Sequence, residues 1–241
     1  MEKITSAIKF RRLPLIIGFA ILINVIAVIT SDLEIMRVVR LITIGIYIAY
    51  YFLRASQKSF IVIAILLSLM ARDIAVMFYE TNLGHKMYLI LGVIAYATIC
   101  LERGDILKVI SRDKSALIFT LVFIVLNTFA LNEITKLVSI GFQGPFEPYL
   151  FYVYGVFMIV FGATAIIYNQ VYNSNRSLAY ILFMISFLTS DVTSLFAYYF
   201  GYEMLLYVDR VAYAVGLGLF SYTITATSSQ IEEAEQYDML S

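Results

Sequence analysis

The chain alternates between long apolar stretches and short polar breaks, a pattern typical of membrane-spanning helices. Eight apolar runs are long enough to cross a bilayer, at about 20 residues per span. The predicted spans are 13–30, 36–54, 59–79, 86–102, 116–131, 148–170, 178–200 and 204–227. We therefore predict an all-α integral membrane protein with eight transmembrane helices, forming a single membrane domain over residues 1–241.

An even number of spans places both termini on one side of the membrane, and the positive-inside rule identifies that side. Only four basic residues lie at or near the opposite side: Arg37, Arg40, Lys86 and Lys136. Those on the terminal side are Lys3, Lys9, Arg11, Arg12, Arg54, Lys58, Arg103, Lys108, Arg112, Lys114 and Arg176. Both termini are therefore predicted to be cytoplasmic, with residues 228–241 forming an acidic cytoplasmic tail.

Composition supports the membrane assignment and excludes several partners. Hydrophobic residues make up 61% of the chain and charged residues 14%, whereas a soluble domain has about a quarter charged residues. The 17 basic residues balance the 17 acidic ones and are scattered, so the basic face of a nucleic-acid binder is missing. One cysteine, Cys100, and one histidine, His85, cannot form a Cys/His zinc site, and we expect neither a metal nor a cofactor. His85 follows the third span, so we expect it in a surface loop.

An internal repeat emerges when the sequence is shifted by 118 residues. The aligned pairs are Tyr50 with Tyr168, Lys58 with Arg176, Ser59 with Ser177, Ser68 with Ser186, Asp73 with Asp191 and Phe78 with Phe196. After a one-residue gap, Gly84 aligns with Gly201, Met87 with Met204 and Tyr96 with Tyr213. These matches predict two parallel four-helix repeats, residues 1–102 and 116–227, joined by a cytoplasmic linker.

The two halves differ mainly in one connection. The segment 132–147 is longer than its counterpart at 31–35 and contains Gly141, Gly144 and Pro145. It is either a lid over an outward-facing cavity or simply a longer loop.

Ionisable residues fall at a shared depth within the spans. At 1.5 Å rise per residue, Asp73 lies about 21 Å and Asp191 about 20 Å from the cytoplasmic ends of their helices. Other members of this layer are Arg40, Arg72, Asp209 and Arg210, with Tyr96 and Tyr213 slightly deeper. Charges inside a bilayer cost about 2.5–3.5 kcal/mol each, which makes them functional candidates. The layer forms either a polar cavity or a set of ion pairs that tie the helices together.

Small and hydroxylated residues in the last two spans point to close packing. Ser186, Ser190 and Thr193 share one face of the seventh span, and Ser194 lies one turn from Asp191. We interpret these hydroxyls as packing and hydrogen-bonding groups rather than nucleophiles. Gly216 and Gly218 of the last span have no phosphate-loop context and are also expected to allow close helix packing.

Two carboxylates that face each other in a dry site cannot both ionise easily. One then acts as a general acid and the other as a base. This division suits hydrolysis through an oxocarbenium-like cation, for which vinyl ethers, acetals and glycosides are substrates. The same pair could instead relay protons or hold a cation for transport.

The arrangement resembles the YhhN-like lysoplasmalogenase family of membrane proteins. The resemblance rests on eight spans, an Asp late in the third, Ser190-Asp191 late in the seventh and Tyr213 in the last. The family's Gly-Asp appears as Arg72-Asp73, and its basic motif in span two is echoed by Arg40, Leu41, Ile42 and Thr43 without the Pro. The fourth-span His is absent from 86–102, and Val215 and Gly216 replace the Gln that follows the last-span Tyr.

The resemblance implies hydrolysis of the vinyl ether bond of lysoplasmalogens. Asp73 and Asp191 would be the catalytic pair, and Arg40 would meet the phosphate of a lysophospholipid substrate taken from the bilayer. The other expected substrate-binding residues are Tyr96, Tyr213, Arg210 and Asp209. Arg72 beside Asp73 favours an ionised Asp73, which gives Asp191 the acid role. The alternatives are a small solute or proton-coupled transporter and a catalytically silent membrane scaffold.

Overall fold

In the computed structural model, the regular secondary structure of the described residues is entirely helical. The structure describes residues 12–30, 32–55, 58–104, 114–142 and 144–225. The α-helices among these residues are α1 Arg12–Thr30, α2 Leu33–Arg54, α3 Phe60–Val76, α4 Asn82–Glu102, α5 Lys114–Val138, α6 Glu147–Tyr172, α7 Asn175–Phe200 and α8 Met204–Thr225. A short 3-10 helix follows α5 at Ser139–Gly141. The eight predicted helices are confirmed.

Seven of these helices are long and apolar enough to cross a membrane. The exception is α3, which has 17 residues and continues into turns as far as Glu80. The chain is thus a multi-pass integral membrane protein. The cytoplasmic location of the termini stays a prediction. The basic residues before Arg12, residues 105–113 of the linker and the tail 228–241 lie outside the described residues.

Local sequence explains where several helices begin and end. The Thr81 hydroxyl accepts a hydrogen bond from the backbone N–H of Gly84 at 3.0 Å and caps α4. At the other end of the bundle, Asn173 adopts the left-handed conformation and ends α6. Ser174 and Ser177 then exchange hydrogen bonds between hydroxyl and backbone N–H, which starts α7. These devices keep the α3–α4 and α6–α7 connections short.

The connection predicted at 132–147 is shorter in the structure, because α5 continues to Val138. Polar residues at the end of the helix concealed this extension in the sequence. Lys136 donates to Glu133 at 2.7 Å, one helical turn away, and Val138 is buried. The remaining connection consists of the 3-10 turn and a few residues before Glu147.

The helices form two compact units. Unit 1 contains α1, α2, α8 and the part of α7 from Leu182 onward. Unit 2 contains α3 to α6 and the first turns of α7, through Ile181. Each unit therefore combines helices from both predicted repeats rather than coinciding with one of them. The repeat itself stays a prediction.

Replacing Gly84 with Ala should destabilise the protein. A Cβ atom at this position would overlap the carbonyl oxygen of Phe78, which belongs to the backbone of the preceding turn and cannot easily move. Overpacking of this kind costs about 1–3 kcal/mol. We expect a lower thermal midpoint for Gly84→Ala in detergent. The matched control is Gly45→Ala on α2, where a Cβ meets nothing within 4 Å, so an unchanged or raised midpoint is expected.

Candidate functional site

Four polar side chains meet in the interior of unit 1, and we call them the charge cluster: Arg40, Ser190, Asp209 and Arg210. Nη1 of Arg40 donates to both carboxylate oxygens of Asp209, at 3.1 and 3.3 Å. Nη1 of Arg210 lies 3.5 Å from Oδ2 of the same carboxylate. The Ser190 hydroxyl donates to Oδ1 at 2.5 Å. One carboxylate on α8 thus joins groups from α2, α7 and α8.

The charge cluster is buried, so its ion pairs and hydrogen bonds strongly affect the stability of unit 1. Asp209 is 0% exposed and Arg210 is 1% exposed. A carboxylate removed from water needs both an opposite charge and hydrogen bonds, and Asp209 has them from Arg40 and Ser190. The structure therefore brings together Arg40, Asp209 and Arg210, which the sequence placed in one layer. The Arg40–Asp209 ion pair links α2 to α8, as does the hydrogen bond from the Tyr47 hydroxyl to the carbonyl of Ala214.

Aromatic rings and glycines hold the cluster in place. The guanidinium carbon of Arg40 lies 4.0 Å from the ring centroid of Tyr213, a cation–π contact one turn along α8 from Asp209. A Cβ at Gly216 would lie 2.5 Å from Cδ2 of Phe187, and one at Gly218 would overlap Ile17. These contacts confirm that the two glycines allow close helix packing.

Asp191 is buried on α7 beside Ser190, with 6% exposure. The surrounding hydroxyls mostly bond to their own helix. Ser186 donates to the carbonyl of Leu182 at 2.7 Å, and Ser194 donates to the carbonyl of Asp191 at 3.1 Å. These bonds agree with a packing role for Ser186 and Ser194, whereas the Ser190 hydroxyl donates to the Asp209 carboxylate.

Unit 2 contains a second buried polar group around Arg72 and Asp73, whose exposures are 0% and 1%. Nη1 of Arg72 donates to the Tyr154 hydroxyl at 3.4 Å. Its guanidinium carbon lies 5.7 Å from the ring centroid of Tyr88 and 5.9 Å from that of Tyr96. Arg72 therefore lies among three tyrosines, one of them the predicted binding residue Tyr96.

His85 is buried in the first turn of α4, so the expectation of a surface loop is wrong. Its Nδ1 lies 3.6 Å from Oε2 of Glu147, the first residue of α6, and Glu147 is itself fully buried. The ring of Tyr79 contacts the imidazole edge-to-face at 4.9 Å between centroids. The cause of the error is the helix start: α4 begins at Asn82, four residues before the predicted span.

A cavity of about 650 Å³ lies in unit 1, at the end where α1 meets α2 and α7 meets α8. Its lining residues are Val28, Asp32, Leu33, Met36, Ala197, Tyr198, Gly201, Glu203, Met204, Leu206 and Tyr207. Met36, Ala197 and Leu206 also form a buried apolar cluster with Ala27. Arg40 follows Met36 by one turn and Asp209 follows Leu206 by three residues, so an apolar layer separates the cavity from the charge cluster.

The predicted catalytic pair is divided between the units. Asp73 belongs to unit 2 and Asp191 to unit 1, so their pairing stays a prediction. Within the described ranges, no group of three His, Cys, Asp or Glu side chains could hold a metal ion.

Sequence reasoning missed three acidic residues. Glu147 was assigned to a connection because the sixth span was predicted to begin at 148, although an acid followed by Pro148 is a recognisable helix start. Asp32 and Glu203 line the cavity but occupy ordinary polar breaks in the sequence. Periodicity gives no signal for them, because a cavity depends on how helix ends meet in space.

Comparisons of the chain with protein-family models, curated proteins and solved structures found no match.

Replacing Asp209 with Asn should destabilise unit 1 severely. The change removes the negative charge from between two buried guanidinium groups, and loss of one partner of a buried pair costs about 3–5 kcal/mol. We expect a strongly lowered thermal midpoint in detergent. The double variant Arg40→Met with Asp209→Asn should be more stable than Asp209→Asn alone, because it leaves one fewer uncompensated charge.

The matched control is Glu133→Gln, which breaks the ion pair with Lys136 on the exposed face of α5. Its thermal midpoint should not change measurably. If Asp209→Asn behaved like this control, the charge cluster would not stabilise the fold.

Proposed function

We propose that the protein is a membrane-embedded hydrolase of the lysoplasmalogenase type, which cleaves the vinyl ether bond of a lysophospholipid with Asp73 and Asp191. The observation that carries this proposal is the burial of both aspartates, at 1% and 6% exposure, on α3 and on α7, of which α7 is long and apolar enough to cross a membrane. Burying a carboxylate within a membrane helix is costly, so an acid that remains there is a functional candidate.

The proposed chemistry uses the two carboxylates in different protonation states. The protonated one, Asp191, delivers its proton to the vinyl carbon and generates an oxocarbenium cation. The ionised one, Asp73, stabilises the cation and accepts a proton from the attacking water. The resulting hemiacetal collapses to a fatty aldehyde and a glycerophospho-alcohol. The overall reaction consumes one water per bond and needs no redox partner.

The residues adjacent to Asp73 and Asp191 in the chain support this assignment of the base and acid roles. Arg72 precedes Asp73 directly, so a cation stands next to that carboxylate in the sequence. Asp191 has Ser190 as its neighbour, and the Ser190 hydroxyl is engaged by Asp209. A residue with no cation next to it in sequence is the better candidate for the proton-carrying acid.

One further feature supports the proposal. The cavity of unit 1 reaches Ala197, which is six residues or about 9 Å of helical rise from Asp191 on the same helix. Asp191 therefore lies on a helix that also lines this cavity.

The proposal predicts that Asp73→Asn and Asp191→Asn each lower aldehyde release by at least about a hundredfold, since general acid–base catalysis contributes about 10²- to 10⁴-fold. The assay supplies lysoplasmenylcholine to the purified protein in detergent and measures fatty aldehyde. Glu133→Gln, an exposed acid on α5, should retain the activity of the unmodified protein.

Loss of activity has to be separated from loss of fold. Each variant is therefore compared by its thermal midpoint, and only variants that fold like the unmodified protein are interpreted. Undiminished hydrolysis by Asp191→Asn would remove the proposed acid. Absence of aldehyde from the unmodified protein would reject the hydrolase. Improved stability on neutralising Arg72 and Asp73 together would then favour a structural role for these charges.

A further inference from the structure

Arg210 is a buried arginine whose hydrogen-bond donors are not used by the charge cluster. The residue is 1% exposed, and its Nε, Nη1 and Nη2 atoms donate to no acceptor among the residues that the structure describes. Its ion pair with Asp209 is the one that it forms with any of those residues. Buried polar groups are almost always hydrogen-bonded, because burial without a partner is costly. The arrangement therefore indicates an acceptor that the chain itself does not provide.

The Asp209 carboxylate is not that acceptor, because other donors occupy it. Its Oδ1 accepts from Ser190 at 2.5 Å and from Arg40 at 3.1 Å, and its Oδ2 accepts from Arg40 at 3.3 Å. Nη1 of Arg210 lies 3.5 Å from Oδ2 and makes no hydrogen bond to it. One carboxylate thus lies between two guanidinium groups, so positive charge is in excess at this point.

The other buried charges of unit 1 do not cancel this excess. In the described part of the unit, the buried charged residues are Arg37, Arg40, Arg210, Asp191 and Asp209. Three guanidinium groups against two carboxylates leave a net charge of +1. Asp191 has interactions of its own and forms no ion pair with Arg210. The guanidinium of Arg210 therefore lacks a full counter-charge.

An unpaired acceptor on α1 accompanies these unpaired donors. Asn24 is 0% exposed, and its Nδ2 donates to the carbonyl of Ala20 at 2.8 Å and to the Thr43 hydroxyl at 2.7 Å. Its Oδ1 accepts no hydrogen bond from the described residues. Thr43 follows Arg40 by three residues on α2. Asn24 is thus directed at a part of α2 that lies about one turn from the charge cluster.

Asn24 also lies level with Arg210. Two contacts define how α1 lies against α8: Ile17 packs where a Cβ at Gly218 would lie, and Ala27 shares a buried cluster with Leu206. The two helices therefore run in opposite directions. Asn24 follows Ile17 by seven residues, and Val211 precedes Gly218 by seven. Asn24 is therefore level with Val211 and with its neighbour Arg210, so a buried acceptor and buried donors occur at one depth.

These surroundings favour a small anion with a single charge. A guanidinium group has N–H donors and no acceptor, so its partner must accept hydrogen bonds. Water accepts them but does not compensate the positive excess. Arg210 does not line the cavity of about 650 Å³, and a sulfate or phosphate dianion would need more space and bring a second negative charge into the interior. Chloride and bromide meet all of these conditions.

We propose that Arg210 binds a monovalent anion of the size of chloride inside unit 1, through Nε and Nη2, the nitrogens other than the one nearest Asp209. A water molecule between the anion and Asn24 donates to both and satisfies Oδ1. The anion compensates the second guanidinium of the charge cluster and so stabilises the packing of α1 and α2 against α8. The site requires neither Asp73 nor the hydrolysis proposed above.

The first test measures the thermal midpoint of the purified full-length protein in a non-ionic detergent, while sodium chloride replaces sodium gluconate at constant ionic strength. A ligand that binds the folded state stabilises it. We therefore expect a saturable rise of about 3–6 °C when chloride reaches about ten times its dissociation constant. Bromide should act like chloride, whereas sulfate should not.

Arg210→Met should lose the chloride-dependent rise. In gluconate this variant should be at least as stable as the unmodified protein, because it removes a buried charge and leaves Arg40 paired with Asp209. Arg210→Lys should bind about tenfold more weakly, because an ammonium group lacks the two parallel donors of a guanidinium. The matched control is Lys136→Gln, an exposed cation on α5, which should keep the full rise. Asp73→Asn should also keep it, which separates this test from that of the hydrolase.

A second measurement does not depend on the folding of any variant. The unmodified protein is equilibrated with radiolabelled chloride, and we expect saturable binding that unlabelled bromide displaces.

Three results would overturn the inference. The first is the absence of saturable chloride binding by the unmodified protein, which would leave Arg210 solvated by water. The second is an equal chloride-dependent rise in Arg210→Met, which would place the anion elsewhere. The third is an equal rise with sulfate, which would show a general effect of salt.

Discussion

The packing of unit 1 depends on the ion pair between Arg40 and Asp209, because a membrane interior offers these two groups no water. Asp209 meets Arg40 from α2, Ser190 from α7 and Arg210 from its own helix. Without Asp209, the guanidinium groups would be buried without this compensation, at a cost comparable with the whole stability of many domains. The Asp209 carboxylate therefore links α2 and α7 to α8, in addition to the apolar contacts of these helices.

This constraint also explains the layered order of unit 1. Arg40 and Asp209 lie about one helical turn along their helices from an apolar layer formed by Met36, Ala197 and Leu206. Beyond that layer the helices end, with Asp32 just before α2 and Glu203 just before α8. The unit thus places a cavity and a buried charge cluster on the same helices, separated by the side chains of this apolar layer.

The sequence was most informative about features that depend on a single helix, such as its location in the chain and the depth of its residues. Apolar runs and the rise per residue located eight helices and placed Arg40, Asp209 and Arg210 at one depth, because both quantities depend only on position along a helix. Helix ends were predicted less well. Thr81 caps α4 before the apolar run begins, so His85 was wrongly assigned to a loop, and polar residues near Lys136 concealed the last turns of α5. The partnership of His85 with Glu147 and the cavity of unit 1 join distant segments, and periodicity contains no information about them.

In both units a tyrosine ring lies near a buried arginine, but the units differ in what compensates the charge of that arginine. The aligned residues Tyr96 and Tyr213 both lie near an arginine, Arg72 in unit 2 and Arg40 in unit 1. In the same alignment, Gly92 of α4 stands where α8 has Asp209. A Cβ at Gly92 would overlap the ring of Tyr154, so this position of α4 is committed to close packing against the tyrosine that accepts from Arg72. In unit 1, the charge of Arg40 is therefore compensated by a carboxylate on α8, the helix that carries Tyr213. In unit 2, the side chain of Tyr154 occupies the space next to the corresponding position of α4. The same alignment places Ser190 opposite Arg72 and Val93 opposite Arg210, so the predicted halves differ at several charged positions, whereas Asp73 and Asp191 are the acidic pair that both halves keep.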